Sequence, residues 1–285
     1  MFLCAVVATS LFAVGVFAPS SDNTTSTEGT SPPPDAVTGK TSPSPNESVS
    51  APPTPLNRTQ LAIDSDGTLL LARSGSCADG QEATVQVITP DKETITMPDP
   101  PAEVVRVHAQ HGTFMVAGAD NNCAINTYTS DDGSAWITQD SPPANWWTFV
   151  PGGQSSTLES GAGVVDLGCT VISMSTVQVS KVFAGCEDGT VLATNDRGIS
   201  WNAIATLTGL VDLAFLDPEH AYALTSNGGC ASNVLATNDA GISWAQVACL
   251  GQSQPAAIAA IDSMIAVATT DTIWTSPDNG QTWSA

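Results

Sequence analysis

From Arg58 onward the chain alternates short apolar runs with clusters of Gly, Asp, Asn and Pro, a pattern that predicts many short strands and no long helix. Leu210 to Leu216 alternates as a strand, Asp217 to His220 turns, Ala221 to Thr225 returns, Val234 to Thr237 leads into a polar octet, and Trp244 to Cys249 leaves it. The same order precedes Asp196 (Thr170–Met174, Val182–Cys186, Thr190–Thr194) and Asp131 (Val104–His108, Phe114–Ala119, Ala124–Tyr128). The last unit is compressed into Ala256–Ile261, Met264–Thr269 and Thr272–Thr275. A first unit, with runs at Leu61–Ile63, Thr68–Arg73, Ala83–Thr89 and Thr94–Met97, has no octet.

The octets are TSDDGSAW (129–136), TNDRGISW (194–201), TNDAGISW (237–244) and SPDNGQTW (276–283). Each has a hydroxyl residue first (Thr129, Thr194, Thr237, Ser276), Asp third (Asp131, Asp196, Asp239, Asp278), Gly fifth (Gly133, Gly198, Gly241, Gly280) and Trp eighth (Trp136, Trp201, Trp244, Trp283). This is the chemistry of a hairpin tip. The carboxylate accepts backbone N–H groups of its own turn, the glycine supplies a positive φ, and the tryptophan buries a large ring as the return strand starts. Nothing in the set is arranged for proton transfer or metal binding.

The pattern resembles the Asp-box, or bacterial neuraminidase repeat, found in sialidases, sortilin-like receptor domains and photosystem II assembly-factor-like propellers. The resemblance covers residues 58–285 and implies an all-β propeller, with each box joining the third and fourth strands of a four-stranded blade on the rim, away from the ligand face. With third-position aspartates 65, 43 and 39 residues apart, about five antiparallel blades of about 45 residues fit into the 228 residues.

Ahead of these strands, Phe2 to Ala18 is an unbroken apolar run, the length of a signal-peptide core or a short membrane anchor. Residues 19–57 hold 24 Ser, Thr or Pro in 39 positions and no aromatic, the composition of a disordered stalk. An extracytoplasmic protein, anchored through its N-terminal segment or secreted, follows. The six cysteines beyond Cys4 are then expected as disulfides. Hairpin register pairs Cys230 with Cys249 and Cys169 with Cys186, which leaves Cys77 with Cys123.

A net charge of −21 disfavours nucleic acid and anionic membrane surfaces as partners. Candidate chemistry is thin. His108-x-x-His111 spans a strand end and a turn, Asp64-Ser65-Asp66-Gly67 has Gly75 where a calcium loop needs Glu, and no cofactor motif occurs. A sialidase, as the resemblance describes one, needs three arginines on the substrate carboxylate together with a Tyr–Glu pair and an acid. Of four arginines, Arg197 lies in an octet and Arg58 at the stalk junction, leaving Arg73 and Arg106, and the only tyrosines, Tyr128 and Tyr222, lie in ordinary strand runs. The expectation is a non-enzymatic module that binds a protein or a glycan, with a divergent sialidase-like exo-glycosidase as the rival and a ligand-free spacer as the blandest alternative. Any contact surface is expected in the long connection Ile137 to Gly163, where Trp146, Trp147 and Phe149 crowd together. The competing reading of those three rings is that they rebuild an outer strand and fill the gap between two blades.

Overall fold

The computed structural model describes residues 58–285 except 142–145, 153–154 and 228. The apolar run and the stalk lie outside the described residues. No helix occurs among the described residues. The strands form six antiparallel sheets arranged as the blades of a propeller. Blade 1 is β1 (Thr59–Ile63), β2 (Leu69–Arg73), β3 (Thr84–Ile88) and β4 (Thr94–Thr96). Blade 2 is β5 (Glu103–Gln110), β6 (Thr113–Ala119), β7 (Ile125–Ser130) and β8 (Ile137–Gln139). Blade 3 has only β9 (Thr148–Phe149), β10 (Thr157–Ser160) and β11 (Gly163–Asp166). Blade 4 is β12 (Val171–Gln178), β13 (Lys181–Cys186), β14 (Thr190–Thr194) and β15 (Asn202–Thr206). Blade 5 is β16 (Leu210–Phe215), β17 (Ala221–Asn227), β18 (Cys230–Thr237) and β19 (Ala245–Cys249). Blade 6 is β20 (Pro255–Ile261), β21 (Met264–Thr269) and β22 (Ile273–Ser276), with a single Thr275–Ser284 bridge beside it.

The count of about five blades is therefore corrected to six. The stretch read as a long connection contains the first two strands of blade 3 and ends where the third begins, and these strands of two to four residues carry no octet and little alternation.

The ring closes because every blade interface buries an apolar cluster. Leu70 and Val85 of blade 1 meet Val104 and Val116 of blade 2. Trp147, Phe149 and Leu158 of blade 3 fill the space between Val105 of blade 2 and Val171 and Val182 of blade 4. Phe183 of blade 4 stacks on Phe215 of blade 5 with parallel rings. Leu224 and Val234 of blade 5 pack on Ile258 and Ile265 of blade 6, and Ala259 and Ala266 return to Ile63 and Leu69 of blade 1.

The octet turns show why their residue types recur. Thr194 Oγ1 donates to Asp196 at 2.8 Å and accepts the Gly198 amide at 2.9 Å, while Asp196 accepts the amide and the hydroxyl of Ser200. Thr237 with Asp239, and Ser276 with Asp278, repeat these bonds. In all three, a residue between Asp and Gly takes a left-handed φ: Arg197, Ala240 and Asn279 at 63°, 62° and 57°. The first octet is one residue tighter and corrects the alignment by spacing. Ser130, not Thr129, accepts the Gly133 amide, and Asp132, not Asp131, accepts the amides of Ser134 and Ala135. Asp131 instead receives the Thr113 hydroxyl.

Hydrogen bonds to the ionised form hold Asp132 and Asp196 at a pKa of about 2 and lower those of Asp239 and Asp278. Each folded-state pKa is depressed, so the stabilisation is present above the unfolded value of 3.8 and is lost as pH falls toward about 2. The urea midpoint is expected to drop across that window, and Asp196→Asn to flatten the drop. An acid limb of wild-type slope in Asp196→Asn would contradict this.

Candidate functional site

The inner strands surround a central cavity of about 270 Å³, lined among others by Arg58, Gln60, Arg106, Phe149, Thr176 and Asp212. A set of side-chain bonds ties these strands into a partial hoop, open between blades 6 and 1, where the contact is apolar. Gln60 Nε2 donates to the Val104 carbonyl, joining blades 1 and 2. Ser173 and Ser175 hydroxyls accept the amides of Leu213 and Phe215, joining blades 4 and 5. Asp212 Oδ2 accepts the Ile258 amide at 2.8 Å, joining blades 5 and 6. Blade 3 is too short at the axis to take part, and Arg106 of blade 2 reaches past it to donate to the Met174 carbonyl of blade 4 at 3.0 Å.

Asp212 is placed by a register shift in β16, and equivalent shifts set Arg106 on β5 and Ser173 on β12. Such bulges turn a side chain out of the strand's alternation and toward the axis. Its Oδ1 accepts the Ser173 hydroxyl at 2.6 Å and the Leu213 amide at 2.9 Å. Burial pushes the carboxyl up to about 6 against the pull of these bonds and of the Arg106 charge. Burial likewise lowers Arg106 and Arg58 to about 10, and both remain cationic.

Arg58 occupies the mouth opposite the octet turns. Its guanidinium carbon lies 3.9 Å from the centre of the Phe149 ring, a cation–π arrangement, and the Glu103 charge favours its protonated form. Two buried polar atoms on the cavity wall, Arg58 Nε and Thr176 Oγ1, have no hydrogen-bond partner among the described residues. Buried groups of this kind call for an explanation, because leaving them unpaired costs about 1–3 kcal/mol each.

The three aromatics of the Ile137 to Gly163 stretch separate. Trp147 is 2% exposed, and its indole N–H donates to the Val179 carbonyl of the β12–β13 turn. Its ring lies so close to Gly198 that a Cβ there would sit 2.4 Å from it. It also meets Trp201 edge-on at 5.8 Å. The tryptophans of the other octets donate to their own glycine carbonyls, whereas Trp201 Nε1, with Trp147 wedged alongside, is buried without a partner among the described residues. Trp147 is thus core and not contact surface, which corrects its expected binding role. Phe149, 4% exposed, packs in the same cluster but also lines the cavity. Trp146 is partly exposed and meets His108 edge-on. The rings build the inner strand of an extra blade, not an outer strand.

Sequence reading missed Arg58. Its position next to the stalk gave no signal, because only ring closure brings it beside Phe149. Arg73, by contrast, is exposed at the end of β2 and does not line the cavity. Three disulfides are present: Cys77–Cys123 between blades 1 and 2, Cys169–Cys186 at blade 4 and Cys230–Cys249 within blade 5. No group of three or more His, Cys, Asp or Glu suited to a metal ion occurs among the described residues.

The sequence matches no family model and no curated protein. Solved structures of similar fold include the Aleuria aurantia lectin, a point mutant in complex with Fucα1-6GlcNAc, at 10% identity and a TM-score of 0.51 over 80% of this chain and 93% of that one. YCF48 bound to D1 peptide matches at 19% identity and a TM-score of 0.35 over 40% of each chain. The GH74 xyloglucanase from Xanthomonas campestris matches at 17% identity and 0.36 over 80% of this chain and 38% of the enzyme. The chain thus spans about two fifths of the latter two. The likeness to the lectin supports the β-propeller fold.

Proposed function

We propose that the protein is a non-enzymatic, extracytoplasmic binding or assembly module that receives part of a protein or glycan ligand at the Arg58 mouth of the channel. The observation that carries this reading is the pair of buried, unpartnered polar atoms, Arg58 Nε and Thr176 Oγ1, on the wall of one cavity. At about 270 Å³ the cavity is just below the usual ~300–1,000 Å³ of small-molecule sites, so it suits one side chain or one sugar unit of a larger partner. A guanidinium over an aromatic ring favours a ligand group that is both planar and anionic or strongly hydrogen-bond accepting. The three disulfides support an extracytoplasmic setting.

Glycoside hydrolysis would need two carboxyl groups free to exchange protons or attack. Asp212, the carboxylate on the cavity wall, has both oxygens committed to backbone amides of blades 5 and 6. This supports a binding role over the sialidase-like one.

The test is site-directed photo-crosslinking in the full chain, with the reactive side chain replacing Gln60 at the channel or Ile199 on an exposed octet tip. Capture from position 60 is expected, reduced roughly tenfold by Arg58→Gln, the loss of one charged hydrogen-bonding partner. Capture from position 199 alone, insensitive to Arg58→Gln, would overturn the reading. So would hydrolysis of a fluorogenic sialoside that Arg58→Gln or Arg106→Gln abolishes.

A further inference from the structure

The Cys77–Cys123 bridge differs from the other two in what leans on it. It joins the β2–β3 connection of blade 1 to the β6–β7 connection of blade 2, with a Cα separation of 5.4 Å. Gly152, just past β9, packs directly on it: a Cβ there would lie 3.2 Å from Cys123 Sγ and 3.4 Å from Cys77 Sγ. Glu103, 6% exposed, completes the clasp, because its Oε2 accepts the Cys77 amide at 3.2 Å and the Gly152 amide at 3.0 Å. The same carboxylate acts on Arg58, whose guanidinium lies over Phe149, three residues before Gly152.

The bridge, Glu103, Gly152, Phe149 and Arg58 therefore form one connected group at the channel mouth. What it holds is the weakest part of the ring. The inner strand of blade 3 is two residues long and pairs with β10 at two positions, Phe149 with Leu158 and Thr148 with Glu159. Cys77 and Cys123 are both partly exposed, so either sulfur of this bridge can be approached. Each other bridge can be approached from one side only, through the partly exposed Cys169 or the exposed Cys249, because Cys186 and Cys230 lie in the core at 1% and 9% exposure. Attack on a disulfide requires access of a thiolate to a sulfur.

We propose that Cys77–Cys123 is a redox-modification site that controls the geometry of the channel mouth. A dithiol is the reductant. Its thiolate attacks one cysteine sulfur, the S–S bond breaks, and a mixed disulfide forms. The second thiol then resolves this, leaving two cysteine thiols and an oxidised dithiol, a transfer of two electrons. Without the bridge, the seat of Gly152 is lost and the β9 segment leaves Arg58, while blades 4 to 6 keep their packing.

The inference concerns the mouth itself and needs no ligand, so its failure and that of the binding reading are separable. The test is hydrogen–deuterium exchange of the full chain, with differential alkylation to follow each cysteine during titration with dithiothreitol. Cys77 and Cys123 are expected to be alkylated first, and amide exchange over Trp146–Gly152 to rise roughly tenfold with β12 to β22 unchanged. Cys77→Ser/Cys123→Ser should reproduce this without reductant, and Cys169→Ser/Cys186→Ser should not. Earlier reduction of another bridge, or unchanged protection of Trp146–Gly152 once Cys77 and Cys123 are free, would overturn the proposal. Should the double serine variant fail to fold, the wild-type titration decides, and exchange rising together in all blades there would also overturn it.

Discussion

Trp147→Ala is expected to destabilise the protein by about 3–5 kcal/mol, the range for removing a fully buried large aromatic. The ring is 2% exposed and sits between blade 3, the Val179 turn and Gly198 of the neighbouring octet. Its removal opens a cavity at the interface where the axial strand is shortest. Relaxation is limited, because the Gly198 turn is held by its own hydrogen bonds. Trp146→Ala should cost far less, since that ring is partly exposed and meets His108 only edge-on. Urea unfolding of both variants checks the contrast. Equal, small losses would mean that blade 3 is not an integral part of the ring.

The second large effect is expected at Asp212. Asp212→Asn preserves shape but replaces one acceptor oxygen with an NH2 donor. In either amide orientation a donor then faces a backbone N–H, that of Leu213 or that of Ile258. The Arg106 guanidinium also loses the nearby negative charge that favours it. A loss of about 3 kcal/mol is expected, against about 1 kcal/mol for Ser173→Ala, which removes one hydroxyl from the same hoop. Wild-type stability in Asp212→Asn would show that the hoop bonds do not hold blades 4 to 6 together.

Octets and alternating runs made the strands of blades 1, 2, 4, 5 and 6 legible, because each strand there carries enough alternation to be separated from its turns. Blade 3 was hidden for a physical reason. Two-residue and four-residue strands fall below the length at which period-two alternation can be read, and what stabilises them is Trp147, Phe149 and Leu158 filling an interface built by other blades. The shift from Asp131 to Asp132 was equally invisible, since Asp131 satisfies the spacing and only the hydrogen bonds show that its neighbour holds the turn. Arg58, Phe149 and Thr176 come from three blades and meet only through closure of the ring, so no local pattern marks them as one site. The cluster of aromatics could not separate the ring that is core, Trp147, from the ring that lines the cavity, Phe149.

The claim that a ligand enters the channel at Arg58 is tested most directly by titrating purified full-length protein and its Arg58→Gln variant on a combined peptide and glycan array. Selective binding to ligands bearing a carboxylate or similar anionic acceptor, lost in Arg58→Gln at an unchanged melting temperature, is the predicted result. Binding that persists undiminished in Arg58→Gln, or that instead follows substitutions at the exposed octet tips Ile199 and Ile242, would contradict it.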